Sequence, residues 1–266
     1  MTEAPETPEL VTERVGSTLV IRINRPEARN ALTPSLLAAI GSAVLQAEND
    51  PEIRVAVLTA TGEKAFCVGM DLKAFARGGS FDSSQAADKE GRAAFDRLTT
   101  GDVRVPVIAA ANGTAVGGGF ELLLASDLVV ASSAAKFGLP EVKLGLFAAG
   151  GGAVALASRL PLAVALELTL TGSSFDAARA QQLGLVNAVV EPAKVLETAL
   201  EFAAKIAANG PLAVAATKEI VRLAAEDPGR ARTRSAELSA IVFPSEDAKE
   251  GAAAFIERRP AQWKGR

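Results

Sequence analysis

The chain has 266 residues, 49% of them hydrophobic and 22% charged, with a formal net charge of -3, enough to bury one sizeable core. The absence of histidine and tyrosine excludes Ser-His-Asp and Cys-His catalysis, imidazole zinc sites and phenolic acids, so carboxylates or lysines must do any acid and base work. A single cysteine, Cys67, excludes an intrachain disulfide; the acidic balance argues against nucleic acid, and the lack of an apolar run of roughly 18 residues argues against a membrane span.

In chain order, the N-terminus "MTEAPETPEL" is acidic and proline-bearing, unlike a targeting peptide, and the expected location is cytoplasmic. Short β-branched runs closed by Asn, Gly, Pro or Ser predict strands at Thr18 to Asn24, Arg54 to Ala60, Val105 to Asn112, Asp127 to Ser132 and Leu185 to Glu191. Helical patterns at Ser35 to Glu48 and about Ala86 to Leu98 separate the first three, which predicts an α/β layered core. The stretch "ARGGSFDSSQ", Ala76 to Gln85, is expected to be a mobile loop. From about Ala193 the pattern changes to alanine-rich amphipathic helices ended by Gly210 and Pro228, and the rest of the chain is expected to be helical. Two units follow: residues 1–192 as the α/β core and 193–266 as a helical region.

Chemistry concentrates in "ANGTAVGGGFELLLASD", Ala111 to Asp127. Three glycines lie between a predicted strand and an apolar helix, and the carboxylate of Glu121 falls in the first helical turn. Free N–H groups and the helix dipole make such an N-terminus an oxyanion site, and glycines let a ligand oxygen approach; a tight strand-to-helix turn accounts for the same pattern. The spacing fits neither a dinucleotide loop nor a phosphate loop. Twenty residues on, "AAKFGLPEVKLGL" sets Glu141 among apolar neighbours. Glu121 is expected to be favoured as an anion and Glu141 to have a raised pKa, the separation that a base and an acid require.

Six stretches resemble the successive signatures of the crotonase superfamily, also called the enoyl-CoA hydratase/isomerase family: "NRPEARNAL", "KAFCVGMDLKAF", "NGTAVGGGFELLLASD", "AKFGLPEVKLGL", "AARAQQLGLVNAVV" and "EDAKEGAAAFIERRPAQWKG". The resemblance implies an α/β crotonase (ClpP-like) spiral of ββα units with a helical C-terminal trimerisation region. It implies an acyl-CoA thioester substrate, with coenzyme A as part of the substrate and no separate cofactor or metal. Assembly as a homotrimer or dimer of trimers is implied, with neither nucleic acid nor membrane as partner.

By the same resemblance the backbone N–H groups of Met70 and Gly118 form the oxyanion hole. Met70, Asp71, Leu72 and Lys73 line the CoA-thioester path, and Ala28 lies near the adenine or pantetheine. Phe255 and Arg258 resemble residues that reach a CoA across a subunit boundary. The hydratase branch carries glutamates at the positions of Glu121 and Glu141, which implies hydration of a trans-2-enoyl-CoA to a 3-hydroxyacyl-CoA, Glu121 activating water and Glu141 serving the Cα proton. Double-bond isomerisation or another specialised crotonase reaction is the alternative. One departure stands out: in "GLFAAGGGAVAL", Ala148 replaces the proline of a "GxxPGxGGT" run common among hydratases. This run borders the expected acyl pocket.

Overall fold

The computed structural model describes residues 8–76 and 88–266. The expected mobile loop, apart from Ala76, lies outside these residues. Among the described residues, ten strands form two sheets. The larger has the order β1 (Leu10–Val15), β2 (Thr18–Ile23), β3 (Val55–Ala60), β5 (Val107–Ala111), β7 (Leu128–Ser132), β10 (Ala188–Val190). All its pairings are parallel except that of β1 with β2. The smaller sheet runs β4 (Ala65–Cys67), β6 (Thr114–Val116), β8 (Lys136–Gly138), β9 (Phe175–Asp176).

The central strands β3 and β5 of the larger sheet are almost wholly apolar because they are covered on both faces, as parallel strands require, whereas the edge strand β1 is largely exposed. Every residue of β3 and β5 is buried. Alternation divides their side chains. Ala56, Leu58, Ala109 and Ala111 join the main core, whereas Val55, Val57, Ile108 and Ala110 pack with Val195, Ala199 and Ala203 of α8 (Val195–Ala207). The first helix after residue 192 therefore completes the sheet's second face. Beyond it come α9 (Pro211–Glu226), α10 (Pro228–Val242) and α11 (Glu246–Glu257); residues 258–266 are not helical.

Each of β3, β5 and β7 passes through a short turn into a strand of the smaller sheet, β4, β6 and β8, and then into helix. This is the spiral of ββα turns that the resemblance implies. All five predicted strands were found, that at Leu185 to Glu191 reduced to the three residues of β10; β1 was not predicted, nor were the two- and three-residue strands of the smaller sheet, which are too short to show a period.

Two helices fix one wall of the space between these turns. In α1 (Pro34–Asn49), Thr33 caps the Leu36 amide and Pro34 supplies the first turn. In α3 (Lys89–Thr100), Asp88 caps the Gly91 amide and Gly101 ends the helix in the left-handed region. The two cross at Gly41 and Gly91, so closely that a Cβ on Gly41 would fall on the Gly91 carbonyl. Among the described residues, no helix is long and apolar enough to cross a membrane.

Candidate active site

The site begins with Asn30, buried and at φ 57°, a left-handed conformation that asparagine tolerates better than most residues. Its amide donates to the Thr61 and Ala65 carbonyls (3.0 and 2.9 Å) and accepts from the Arg25 N–H (2.9 Å). The chain after it is thereby held against the segment following β4. There the Leu32 N–H donates to the Gly69 carbonyl (2.8 Å) and the Asp71 N–H donates to the Leu32 carbonyl (2.9 Å). In such a parallel bridge, with Leu32 opposite Met70, the Met70 N–H points away from Leu32. It has no acceptor among the described residues.

A second free amide faces the same space. Gly117 caps α4 (Gly118–Ala125) at φ 55°, ψ -133°, a conformation suited to glycine. Its N–H donates to the Gly138 carbonyl, and its carbonyl accepts from Phe120 and Glu121. The Gly118 N–H opens the helix with no acceptor among the described residues. A Cβ on Gly69 would stand 3.0 Å from the Gly118 nitrogen, so the two loops touch at the two amides. On the opposite side, Gly119 lies against the Cys67 carbonyl, where any side chain would collide. Cys67 itself is fully buried, and burial pushes its thiol up to about 12, so it takes no part as a nucleophile.

The carboxylates of Glu121 and Glu141 converge on this pocket. Glu121 is buried, and its Oε1 accepts from the Gly152 N–H (2.9 Å) at the start of α5 (Gly152–Arg159). A Cβ on Gly150 would lie 2.7 Å from Glu121 Oε2. The run "AAGGGA", Ala148 to Ala153, thus wraps the carboxylate with residues too small to displace it. Glu141 follows Pro140 in a 3-10 turn, Pro140–Leu144, and its Oε1 would be 3.4 Å from a Cβ on Gly117. Its Oε2 is buried with no protein partner among the described residues.

The expected contrast between the two acids is corrected here. The pKa of Glu121 is raised, not lowered: burial dominates, the Gly152 amide opposes it, and the negative charge of Glu141 raises it further. Glu141 is also raised, chiefly by burial, opposed by its own backbone N–H. A first-turn position favours an anion by a few tenths to about one kcal/mol, which is less than the cost of desolvating the charge here.

The pocket has a volume of about 440 Å³. Of the residues expected from the sequence, Met70, Leu72, Gly118, Glu121 and Glu141 line it; Ala28, Asp71 and Lys73 do not. Ala28 ends a 3-10 turn, Pro26–Ala28, and Lys73 is exposed on α2 (Leu72–Ala76). Asp71 accepts from the Lys73 and Ala74 amides and pairs with Arg25 at 3.3 Å. These bonds, the Ala74 amide first, hold its pKa below the usual value, and their effect is to anchor the segment carrying Met70. Phe255 and Arg258 lie at the end of α11, Phe255 almost fully exposed, and neither lines the pocket. The sequence reading missed the face of α3 that does, namely Arg92, Phe95 and Thr99. Their i, i+3, i+7 spacing was its only signal.

The sequence pattern of the enoyl-CoA hydratase/isomerase family matches residues 13–266. The chain belongs to this family. It is 43% identical over 256 residues to a carnitinyl-CoA dehydratase of Proteus mirabilis, covering 94% of this chain and 96% of that one. A carnitinyl-CoA dehydratase of Salmonella typhi is 44% identical over 260 residues, covering 95% and 97%. Among solved structures, an enoyl-CoA hydratase from Mycobacterium tuberculosis superposes with a TM-score of 0.89 at 44% identity, covering 98% of this chain and all of that one. A carnitinyl-CoA hydratase from Mycobacterium avium superposes at 0.75 with 42% identity and the same coverage. The fold is the crotonase fold, and the family member at hand carries both carboxylates and both free amides in one pocket.

Proposed function

We propose that the protein is an acyl-CoA hydratase/dehydratase that interconverts a trans-2-enoyl-CoA and its 3-hydroxyacyl-CoA. The observation that carries this reading is the convergence of two carboxyl groups with raised pKa values on the pocket lined by Met70 and Gly118. The names of the relatives, hydratase and dehydratase, support the same direction of chemistry.

In this reading the thioester oxygen accepts from the Met70 and Gly118 N–H groups, which carry the negative charge that develops as the enolate forms. Donors fixed in this way typically contribute on the order of 3 to 4 kcal/mol each to a transition state. Two carboxyl groups with raised proton affinities suit a site in which one holds a proton while the other accepts one. Glu121, whose anion has the Gly152 amide, takes a proton from water as the oxygen bonds to Cβ. Glu141, whose Oε2 has no protein partner among the described residues, delivers its proton to Cα. Water thus supplies hydroxide to Cβ and leaves its proton on Glu121, while Cα gains the proton of Glu141; dehydration runs the same steps in reverse. The test is hydration of 2-enoyl-CoA by the purified protein in deuterated water. Solvent deuterium at Cα of a 3-hydroxy product is expected. Rapid movement of the double bond of a 3-enoyl-CoA, with 2-enoyl-CoA left unhydrated, would instead identify an isomerase.

Assembly as a homotrimer or dimer of trimers belongs to the same proposal. Leu162, Leu166 and Leu170 form an exposed i, i+4, i+8 stripe on α6 (Leu162–Thr171), and Ile241, Phe243, Phe255 and Ile256 are exposed near the C-terminus. Contiguous apolar surface of this kind is normally covered by a partner. A stable monomer by sedimentation at micromolar concentration would refute this part.

A further inference from the structure

One charged side chain in the pocket has no part in the chemistry above. Arg92 is the only cation among the described lining residues, and its guanidinium is mostly buried. Its Nε donates to Asp96 Oδ1 at 3.0 Å, one helical turn on, and its Nη2 lies 3.0 Å from the same oxygen. Asp96 does not line the pocket. Of the pair, only the arginine therefore contributes to the pocket wall.

The position along α3 matters as much as the charge. Thr99, seven residues after Arg92, lines the pocket where its carbonyl approaches Gly151, next to the amides around Glu121. Seven residues of helix span about 10 Å, so Arg92 stands well beyond the carboxylates, with Phe95 between. The guanidinium also stacks over the Phe95 ring, 5.5 Å from its centre. A quaternary ammonium in this pocket would find that ring already serving a cation, and would meet a second positive charge beyond it.

Resting on the proposed acyl-CoA chemistry, we infer that Arg92 selects the acyl tail: it favours a 2-enoyl-CoA whose far end bears a carboxylate and disfavours one ending in a trimethylammonium group. The N–H groups of Arg92 that Asp96 does not engage offer a charge-assisted bond to an anionic tail. The substrate class thus differs from the carnitinyl-CoA named for several relatives.

The experiment uses three 2-enoyl-CoA substrates of matched length, ending in methyl, carboxylate and trimethylammonium, with the wild type and the Arg92→Gln and Arg92→Lys variants. The wild type is expected to show kcat/KM at least tenfold higher for the carboxylate tail than for the trimethylammonium tail. Arg92→Gln should lower the ratio of carboxylate-tail to methyl-tail kcat/KM by tenfold to a hundredfold, mainly through KM, the range of one charge-assisted hydrogen bond. Arg92→Lys should recover part of it. Because each comparison is a ratio within one variant, loss of folded protein cannot mimic the result. A wild-type preference for the trimethylammonium tail, or ratios unmoved by Arg92→Gln, would overturn the inference. If none of the three substrates were hydrated by the wild type, the proposed function itself would fail.

Discussion

Replacing Glu121 with glutamine separates the chemistry of the site from its shape. The amide is nearly isosteric, and its oxygen can keep the 2.9 Å bond from the Gly152 N–H, so the loop around it has no reason to move. What is lost is a base. A positioned acid or base contributes about 10² to 10⁴ in rate, or about 2.7 to 5.4 kcal/mol of transition-state stabilisation at 1.36 kcal/mol per decade. Turnover of Glu121→Gln should fall by that factor while KM changes little. Stability should move the other way. Burial raises the pKa of Glu121 because its anion is costly in the folded state, so removing that charge should raise Tm at neutral pH. The assay pairs steady-state kinetics on the best enoyl-CoA substrate with thermal melts of both proteins. A variant that keeps more than a tenth of wild-type turnover, or that melts below wild type at pH 7, refutes the reasoning.

Gly150→Ala should reduce kcat by about tenfold or more, since its Cβ would come within 2.7 Å of Glu121 Oε2 and push the carboxylate aside; chemical denaturation should show a stability change under about 1 kcal/mol, because only a side-chain end must yield. Asp127→Asn should cost about 3 to 5 kcal/mol by the same measurement, because Asp127 pairs with both Lys218 and Arg222 at 2.7 Å, and Lys218 is mostly buried. For pH, both site glutamates bind protons more tightly folded than unfolded. Their contribution to stability therefore falls as pH rises from the ordinary glutamate value through the raised ones, and the difference in Tm between wild type and Glu121→Gln should grow over that window and then level off. Over the same range kcat/KM should rise with pH, its acid limb displaced above the ordinary glutamate value.

Much of this arrangement was legible in the sequence because it rests on local rules. The buried parallel strands announce themselves as apolar runs, and Gly117 to Glu121 mark a helix start that faces the pocket. The raised pKa of Glu121 was not legible. Its position in the first turn is a local fact, whereas its burial depends on Gly150 to Gly152, about thirty residues on, and the distant contact outweighs the local one. The same holds for α3. Its amphipathic pattern shows which face is buried, but only the crossing with α1 at Gly41 and Gly91 determines that Arg92 and Thr99 face the pocket.

The glycines of this site are better understood as packing than as flexibility. Gly117 needs its positive φ, Gly119 lies on the backbone of β4, and Gly150 and Gly152 press on the Glu121 carboxylate. Each position is closed to a side chain for a different reason, and together they leave the loops little room to move. A hole for a developing oxyanion requires that rigidity, because donors that must reorganise during reaction lose much of their value. It also explains how a buried, energetically costly glutamate is kept in place. The surrounding chain has been stripped of every Cβ that could displace it, and two amides, those of Gly152 and Gly150, partly offset its desolvation. Desolvation outweighs these amides, so Glu121 holds a proton more readily than an ordinary glutamate does, and burial makes Glu141 do the same.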